Sequence, residues 1–244
     1  MNLFSYLLDA ANWPGPDGIA TRIGEHLGFT VISVLVATML GVVIGAIAGR
    51  YRAGRVVVVG VLNATRAIPT LGLLVLVVTL LGTGLVPVLL ALVILALPPI
   101  LTGTATGVAQ ADPNAVQAAK GLGMTGLQVS LGVELPLALP LIISGIRSAT
   151  LQVVATATVA ALAAAGGLGR LVVDGQRAGA TGYPEMFAGA VLVAVMAVLF
   201  DVILGLLVRV ARRRAERHAE TSLAAPDSLD PRELIPTPAD PSTP

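Results

Sequence analysis

The sequence predicts an all-α, multi-pass membrane protein, and three observations lead there. Hydrophobic residues make up 55% of the chain and charged residues 12%, well under the roughly 25% charged residues of an ordinary soluble domain. The mean hydropathy is +0.89. The charges are also segregated, gathering in polar breaks between long uncharged runs. At about 1.5 Å per helical residue, runs of this length cross a hydrocarbon core of about 30 Å.

Residues 1–28 read as a mixed N-terminal segment. Leu3, Phe4, Tyr6, Leu7 and Leu8 fit a short amphipathic turn at a membrane surface, broken by Trp13-Pro14-Gly15-Pro16; a frayed terminus is the alternative. No basic residue precedes Arg22, so no cleavable signal peptide is expected. The first span covers 29–49, with Gly41, Gly45 and Gly49 on one helix face, a notch that admits a second helix at close range. Arg50, Arg52 and Arg55 follow. The second span, 56–81, is interrupted by Asn63, Thr65, Arg66 and Pro69; the proline removes a backbone donor and kinks the helix.

The turn Gly82-Thr83-Gly84 leads into a third span, 85–107, which carries Pro87, Pro98 and Pro99. Residues 112–136 form the longest internal break, helix-like and partly apolar. The fourth span, 139–165, holds Arg147 and becomes rich in Ala and Thr before Gly166-Gly167-Leu168-Gly169 ends it. A polar loop is expected as far as Glu185, then a fifth span, 186–208, holding Asp201. Arg209 closes this transmembrane domain, and Arg212, Arg213, Arg214 and Arg217 open a tail, 210–244, too poor in apolar residues to order itself.

Charge orients this alternation. Arg50, Arg52, Arg55, Lys120 and the arginines after the last span share one side and outnumber Arg22, Arg170 and Arg177 on the other. The positive-inside rule then puts the N-terminus outside, and the C-terminus and 112–136 in the cytoplasm of a cell whose cytoplasmic membrane the chain spans. Within the spans, Arg147 and Asp201 are expected to pair across the bundle, as a packing ion pair or, alternatively, a proton relay.

Several functions are excluded. The basic residues form no aromatic-interleaved groove, so no nucleic-acid partner is expected. The chain has no cysteine, and His26 and His218 are too far apart in sequence to suggest a metal pair. No phosphate-binding loop of the G-x-x-x-x-G-K-[ST] type occurs, so no nucleotide cofactor is expected on this chain. The literal G-x-G-x-x-G at Gly121-Leu122-Gly123-Met124-Thr125-Gly126 follows a helical pattern, not a buried strand, and is a chance match. No catalytic residue is expected.

The 112–136 segment carries a spacing that decides more. Gln117-Ala118-Ala119 is followed after three residues by Gly123, then after nine by Val133, then by Leu135-Pro136. This resembles the cytoplasmic signature of ATP-binding-cassette importer permeases, E-A-A, three residues, G, nine residues, I-x-L-P, with Gln117 in place of glutamate and Val133 in place of isoleucine. The likeness extends over 25–201 and looks closest to the osmoprotectant branch. It is carried by Glu25-His26-Leu27, Ile68-Pro69-Thr70-Leu71, Glu134-Leu135-Pro136-Leu137-Ala138, Gly145-Ile146-Arg147 and Gly166-Gly167-Leu168-Gly169.

The resemblance implies a type I importer permease core of five transmembrane helices with a cytoplasmic coupling helix. Gln117, Ala118, Ala119, Lys120, Gly123, Val133, Leu135 and Pro136 would dock on separate ATPase subunits, which bind the ATP. It also implies a second permease copy or paralogue and an extracytoplasmic binding protein that delivers a small osmoprotectant such as glycine betaine, choline, carnitine or proline betaine. At 3% aromatic residues the chain is poor in the cages that hold quaternary ammonium groups, which places strong recognition on that binding protein. Pro69, Thr70, Thr156 and Thr158 are the candidate path lining. A methionine-type amino-acid permease is the nearest alternative, and an ion-coupled secondary transporter the more distant one.

Overall fold

The computed structural model describes residues 3–51, 53–58, 60, 69–163 and 166–223, with side chains described as far as Arg213. Every labelled element among these residues is helical: α1 (Ser5–Leu8), α2 (Ile19–Arg50), α3 (Thr70–Leu81), α4 (Leu85–Ala109), α5 (Pro113–Gly121), α6 (Gly126–Val129), α7 (Leu135–Ala160), α8 (Gly169–Arg177) and α9 (Tyr183–Leu223). Among them are four helical stretches long and apolar enough to cross a membrane, namely α2, α4, Gly126–Ala163 and Gly179–Arg213; α3 is a shorter apolar helix. The expected second span therefore shows its last part as α3. Its interrupting residues Asn63, Thr65 and Arg66 lie outside the described residues, as do Arg52 and 224–244.

Helix α4 is the centre of the bundle. Half of its most apolar stretch is buried, against 11% for the last helix, and it packs most extensively on α7 and α2. In hydrocarbon, helices gain little by hiding apolar surface, so close packing of small residues must hold them. A Cβ at Gly45 would lie 2.7 Å from the Thr104 Cβ, and one at Gly49 2.7 Å from the Ala105 carbonyl oxygen, so α2 and α4 meet almost backbone to backbone. On the other side, a Cβ at Gly145 of α7 would stand 2.6 Å from the Pro99 carbonyl oxygen. Around these seams Leu74, Val88, Leu92, Ile100 and Val153 form the main core. Two buried hydroxyls are satisfied within their own helices: Thr30 donates to the His26 carbonyl at 2.9 Å and Thr104 to that of Ile100 at 2.9 Å; the buried Ser33 hydroxyl has no hydrogen-bond partner among the described residues.

Boundaries differ from the sequence expectation in three places. Helix α2 begins at Ile19, ten residues before the first uncharged run, because its polar residues find partners inside the protein. The loop expected up to Glu185 contains α8, which buries Leu171 and Val173 and ties its exposed side with an Arg170 to Asp174 ion pair at 2.9 Å. The last helix runs on to Leu223 instead of stopping near Val208; Ala, Arg and Glu, which dominate this stretch, are good helix formers.

The N-terminal segment is held down through α1 and the turn that follows it, Ala10–Asn12. The Phe4 ring meets that of Phe187 edge to face with centroids 5.2 Å apart, and the Trp13 indole N–H donates to the Leu7 carbonyl at 3.0 Å.

Candidate functional site

The 112–136 segment folds as a capped helix, a tight turn and a second helix. Asp112 caps α5 by accepting from the Asn114 N–H at 2.9 Å, with Pro113 in the first turn, where its missing donor costs nothing. The helix ends at Gly121, and the chain turns away at Gly123, whose φ of +80° suits glycine; its N–H donates to the Lys120 carbonyl at 3.0 Å. Thr125 and Gln128 then form a reciprocal capping box that starts α6. From there the chain passes through a π turn, Ser130–Glu134, into α7. Pro136 has no N–H and its ring crowds the carbonyl four residues back, so widening this turn relieves the clash.

Of the sequence-predicted coupling residues, Gln117, Ala118, Lys120, Gly123 and Pro136 are exposed, Val133 and Leu135 are half-buried, and Ala119 is buried. Around them Leu122 is 84% exposed and Leu127 69% exposed. Two large aliphatic side chains standing beside a polar helix form an apolar surface that no described residue covers.

Sequence reasoning missed the brace behind this surface. Arg50, the last residue of α2, donates from Nε to Glu134 Oε2 at 2.9 Å and from Nη2 to the Gly126 carbonyl at 2.6 Å. One guanidinium thus grips both ends of the α6 and π-turn stretch. Glu134 is buried, so the charge-assisted bond is only weakly screened by solvent. A cleft of about 470 Å³ opens beside the brace, lined by Arg50, Tyr51, Arg55, Val116, Lys120 and Glu134.

At the other end of the bundle the structure joins two stretches that the sequence resemblance named separately. Glu25 accepts from the Gly167 N–H at 2.6 Å and pairs with Arg22 at 2.9 Å. His26 is fully buried, with Nε2 3.1 Å from the Val154 carbonyl oxygen, which marks Nε2 as the protonated nitrogen. Its Nδ1 faces Gly167 and has no hydrogen-bond partner among the described residues. A Cβ at Gly167 would come within 3.2 Å of that nitrogen, and the glycine has φ +81°.

Arg147 of α7 and Asp201 of α9 form a two-pronged pair, Nε to Oδ1 at 2.7 Å and Nη2 to Oδ2 at 2.8 Å. Both side chains remain more than one-third exposed. The four path candidates sit at the start of α3 and on α7. Pro69 and Thr70 are exposed at the start of α3; Thr156 is buried, and Thr158 donates to the Val154 carbonyl at 3.1 Å. A cavity of about 270 Å³ lies between α3 and α7, lined by Leu74, Thr79, Thr83, Val159 and Leu162. Among the described residues no His, Asp and Glu cluster has an arrangement that holds a metal.

Residues 41–216 match the family model described as binding-protein-dependent transport system inner membrane component. The chain belongs to this family. Members of the binding-protein-dependent inner membrane components are permeases of ATP-binding-cassette transporters, so the chain is a multi-pass membrane subunit and not an enzyme. It is similar to the glycine betaine/carnitine/choline transport system permease protein OpuCB of Bacillus subtilis, 35% identical over 77% of this chain and 86% of that protein. The choline transport system permease protein OpuBB of the same organism is 34% identical over 76% of this chain and 84% of that protein. Among solved structures, an inward-facing form of the MetNI methionine ABC transporter superposes with a TM-score of 0.68, 23% identity, and coverage of 79% of this chain and 95% of that one. That likeness fixes the fold of the family core.

Proposed function

We propose that the chain is the permease subunit of an ATP-driven importer of a small osmoprotectant such as glycine betaine, choline, carnitine or proline betaine. The observation that carries this reading is the fit between relatives named for such solutes and a chain that supplies no aromatic cage of its own. A dedicated binding protein outside the membrane would select the solute, and the permease would offer a weakly binding path. Two copies, or this chain and a paralogue, form the pore. The path runs between α3 and α7, with Pro69 and Thr70 at one end and Thr156 and Thr158 on the facing helix.

In this reading the N-terminus is outside and the C-terminus and α5 are cytoplasmic, by the distribution of Arg and Lys. The α5 helix docks in a groove on an ATPase subunit, with Leu122 and Leu127 covered by it and Gln117 hydrogen-bonding where the family glutamate would carry a charge. Nucleotide can move the permease only by favouring one of its arrangements over the other. The methionine-type reading rests on fold similarity alone and has no residue-level support here.

Proteoliposomes holding this chain, its ATPase and its binding protein test the proposal. Radiolabelled glycine betaine, carnitine or choline should accumulate only with ATP inside reach of the ATPase and with binding protein present. Uptake of methionine but of none of these quaternary ammonium solutes would overturn the substrate, and uptake driven by a proton gradient without ATP would overturn the mechanism.

A further inference from the structure

The Arg147 and Asp201 pair lines a crevice that the transport reading leaves unexplained. Between α7 and α9 there is a cavity of about 410 Å³, bounded by Ser144, Arg147, Asp201, Gly205, Arg209 and Arg212. On α9, the positions 201, 205, 209 and 212 recur at helical spacing and share one face. Three arginines stand against one carboxylate there. Asp201 is already engaged by both prongs of Arg147, and neither Arg209 nor Arg212 has an ion-pair partner among the described residues. The crevice therefore carries an unbalanced positive charge.

Its floor is kept open by a missing side chain. A Cβ at Gly205 would touch the Arg147 guanidinium at 3.5 Å, so anything larger would fill the space over it. Its walls are greasy: Val202 and Leu206 are 53% and 52% exposed on the same helix. A cation-lined hollow at the end of a membrane-spanning helix, flanked by outward aliphatic side chains, matches one occupant in charge and polarity. We infer that this crevice binds the phosphodiester headgroup of an anionic phospholipid, with Arg209 and Arg212 on the phosphate, Arg147 reaching up from below, and the acyl chains along Val202 and Leu206. Arginine suits the role because its planar fork meets a phosphate with two bonds.

The test uses the purified full-length chain in detergent, alone and in complex with its ATPase, titrated with phosphatidylglycerol and with phosphatidylcholine and read by native mass spectrometry. A saturable phosphatidylglycerol adduct absent with phosphatidylcholine is expected. An arginine beside an anionic lipid contributes about fivefold in affinity, so R209Q/R212Q should weaken the adduct roughly thirtyfold. G205L, which changes no charge, should remove it by filling the crevice; R213Q, which removes a charge from the same helix outside the crevice, should leave it. Both Arg209 and Arg212 are exposed, so their replacement tests the site even where G205L fails to fold. Equal weakening by R213Q and R209Q would mean diffuse charge attraction and overturn the inference. Loss of the adduct in the ATPase complex would assign the crevice to a protein partner and overturn it equally.

Discussion

Arg50 and Gly167 show how single residues fix the two ends of this permease. Removing the Arg50 side chain leaves Glu134 buried without its cation and the Gly126 carbonyl without its donor. Hydrogen bonds to charged groups contribute about 1.5–3 kcal/mol, so R50A should lower the thermal midpoint of the detergent-solubilised protein by that equivalent. E134Q keeps an acceptor for Arg50 and should cost less; a larger loss for E134Q than for R50A would contradict the brace. At the opposite end, Gly167 holds a left-handed backbone beside His26. An L side chain there costs about 1–2 kcal/mol in backbone strain, before any contact with the imidazole. G167A should therefore unfold at lower temperature than wild type, whereas G15A, also at positive φ but in open space, isolates the backbone part of that penalty.

Neither the brace nor the Glu25 latch was legible from spacing. Arg50 and Glu134 are 84 positions apart, and Glu25 and Gly167 are 142 apart, and nothing in local pattern joins them. The Arg147 and Asp201 pair was easier to read, because a charge inside an apolar run has to be answered and few candidates exist. The path candidates were chosen from kinks and hydroxyl content. Those features select residue types and not geometry; the Thr158 hydroxyl, for one, also bonds back to the Val154 carbonyl of its own helix.

Among the elements, α2, α4, α7 and α9 were visible as long apolar runs carrying at most one charge, since the part of a helix that crosses hydrocarbon has to be mostly apolar. Helix α8 was not, because Arg170, Asp174 and Arg177 offset Leu171 and Val173 in any average, although only its outer side is polar. The start of α2 was hidden for a similar reason: Arg22, Glu25 and His26 look like loop residues until their partners are known. The α5 segment was legible through the spacing from Gln117 to Pro136, and its turn gives a direct test. No atom lies within 4 Å of a Cβ built at Gly123. G123L and G123N should both insert in the membrane, and both should lose ATPase in co-purification if docking needs a close approach there. Asn tolerates positive φ better than Leu, so ATPase retained by G123N alone would mean that the turn matters and the bare surface does not.

On the scale of the molecule, the bundle divides by how tightly its helices are seated. The glycine seams lock α2, α4 and α7 together, and they share the main core. Helix α3 packs far less extensively, and α9 presents Val198, Leu199, Ile203 and Leu207 outward. Alternating access needs some helices to part and others to travel together, and the seams select which do which. Cysteines introduced at Gly41 and Ile100 should cross-link, because a Cβ at Gly41 lies 3.2 Å from that of Ile100, a few tenths below the usual disulfide spacing of about 3.5–4.5 Å. The natural chain has no cysteine to interfere. ATP-dependent uptake by the cross-linked protein should match that of its reduced form; an inactive oxidised form would show that the α2 and α4 seam slides.

Under the docking proposed for α5, the Arg50 brace extends this division to the segment that would meet the ATPase. Because one guanidinium fastens the α6 end of the docking segment to the end of α2, and α2 is seated on α4 through bare backbone, a push on α5 has little slack to absorb it. A stroke arriving there would be delivered to the whole seam at once, much as a crank keyed to its shaft turns the shaft instead of spinning on it. The permease thereby spends a single side chain on making its lever stiff.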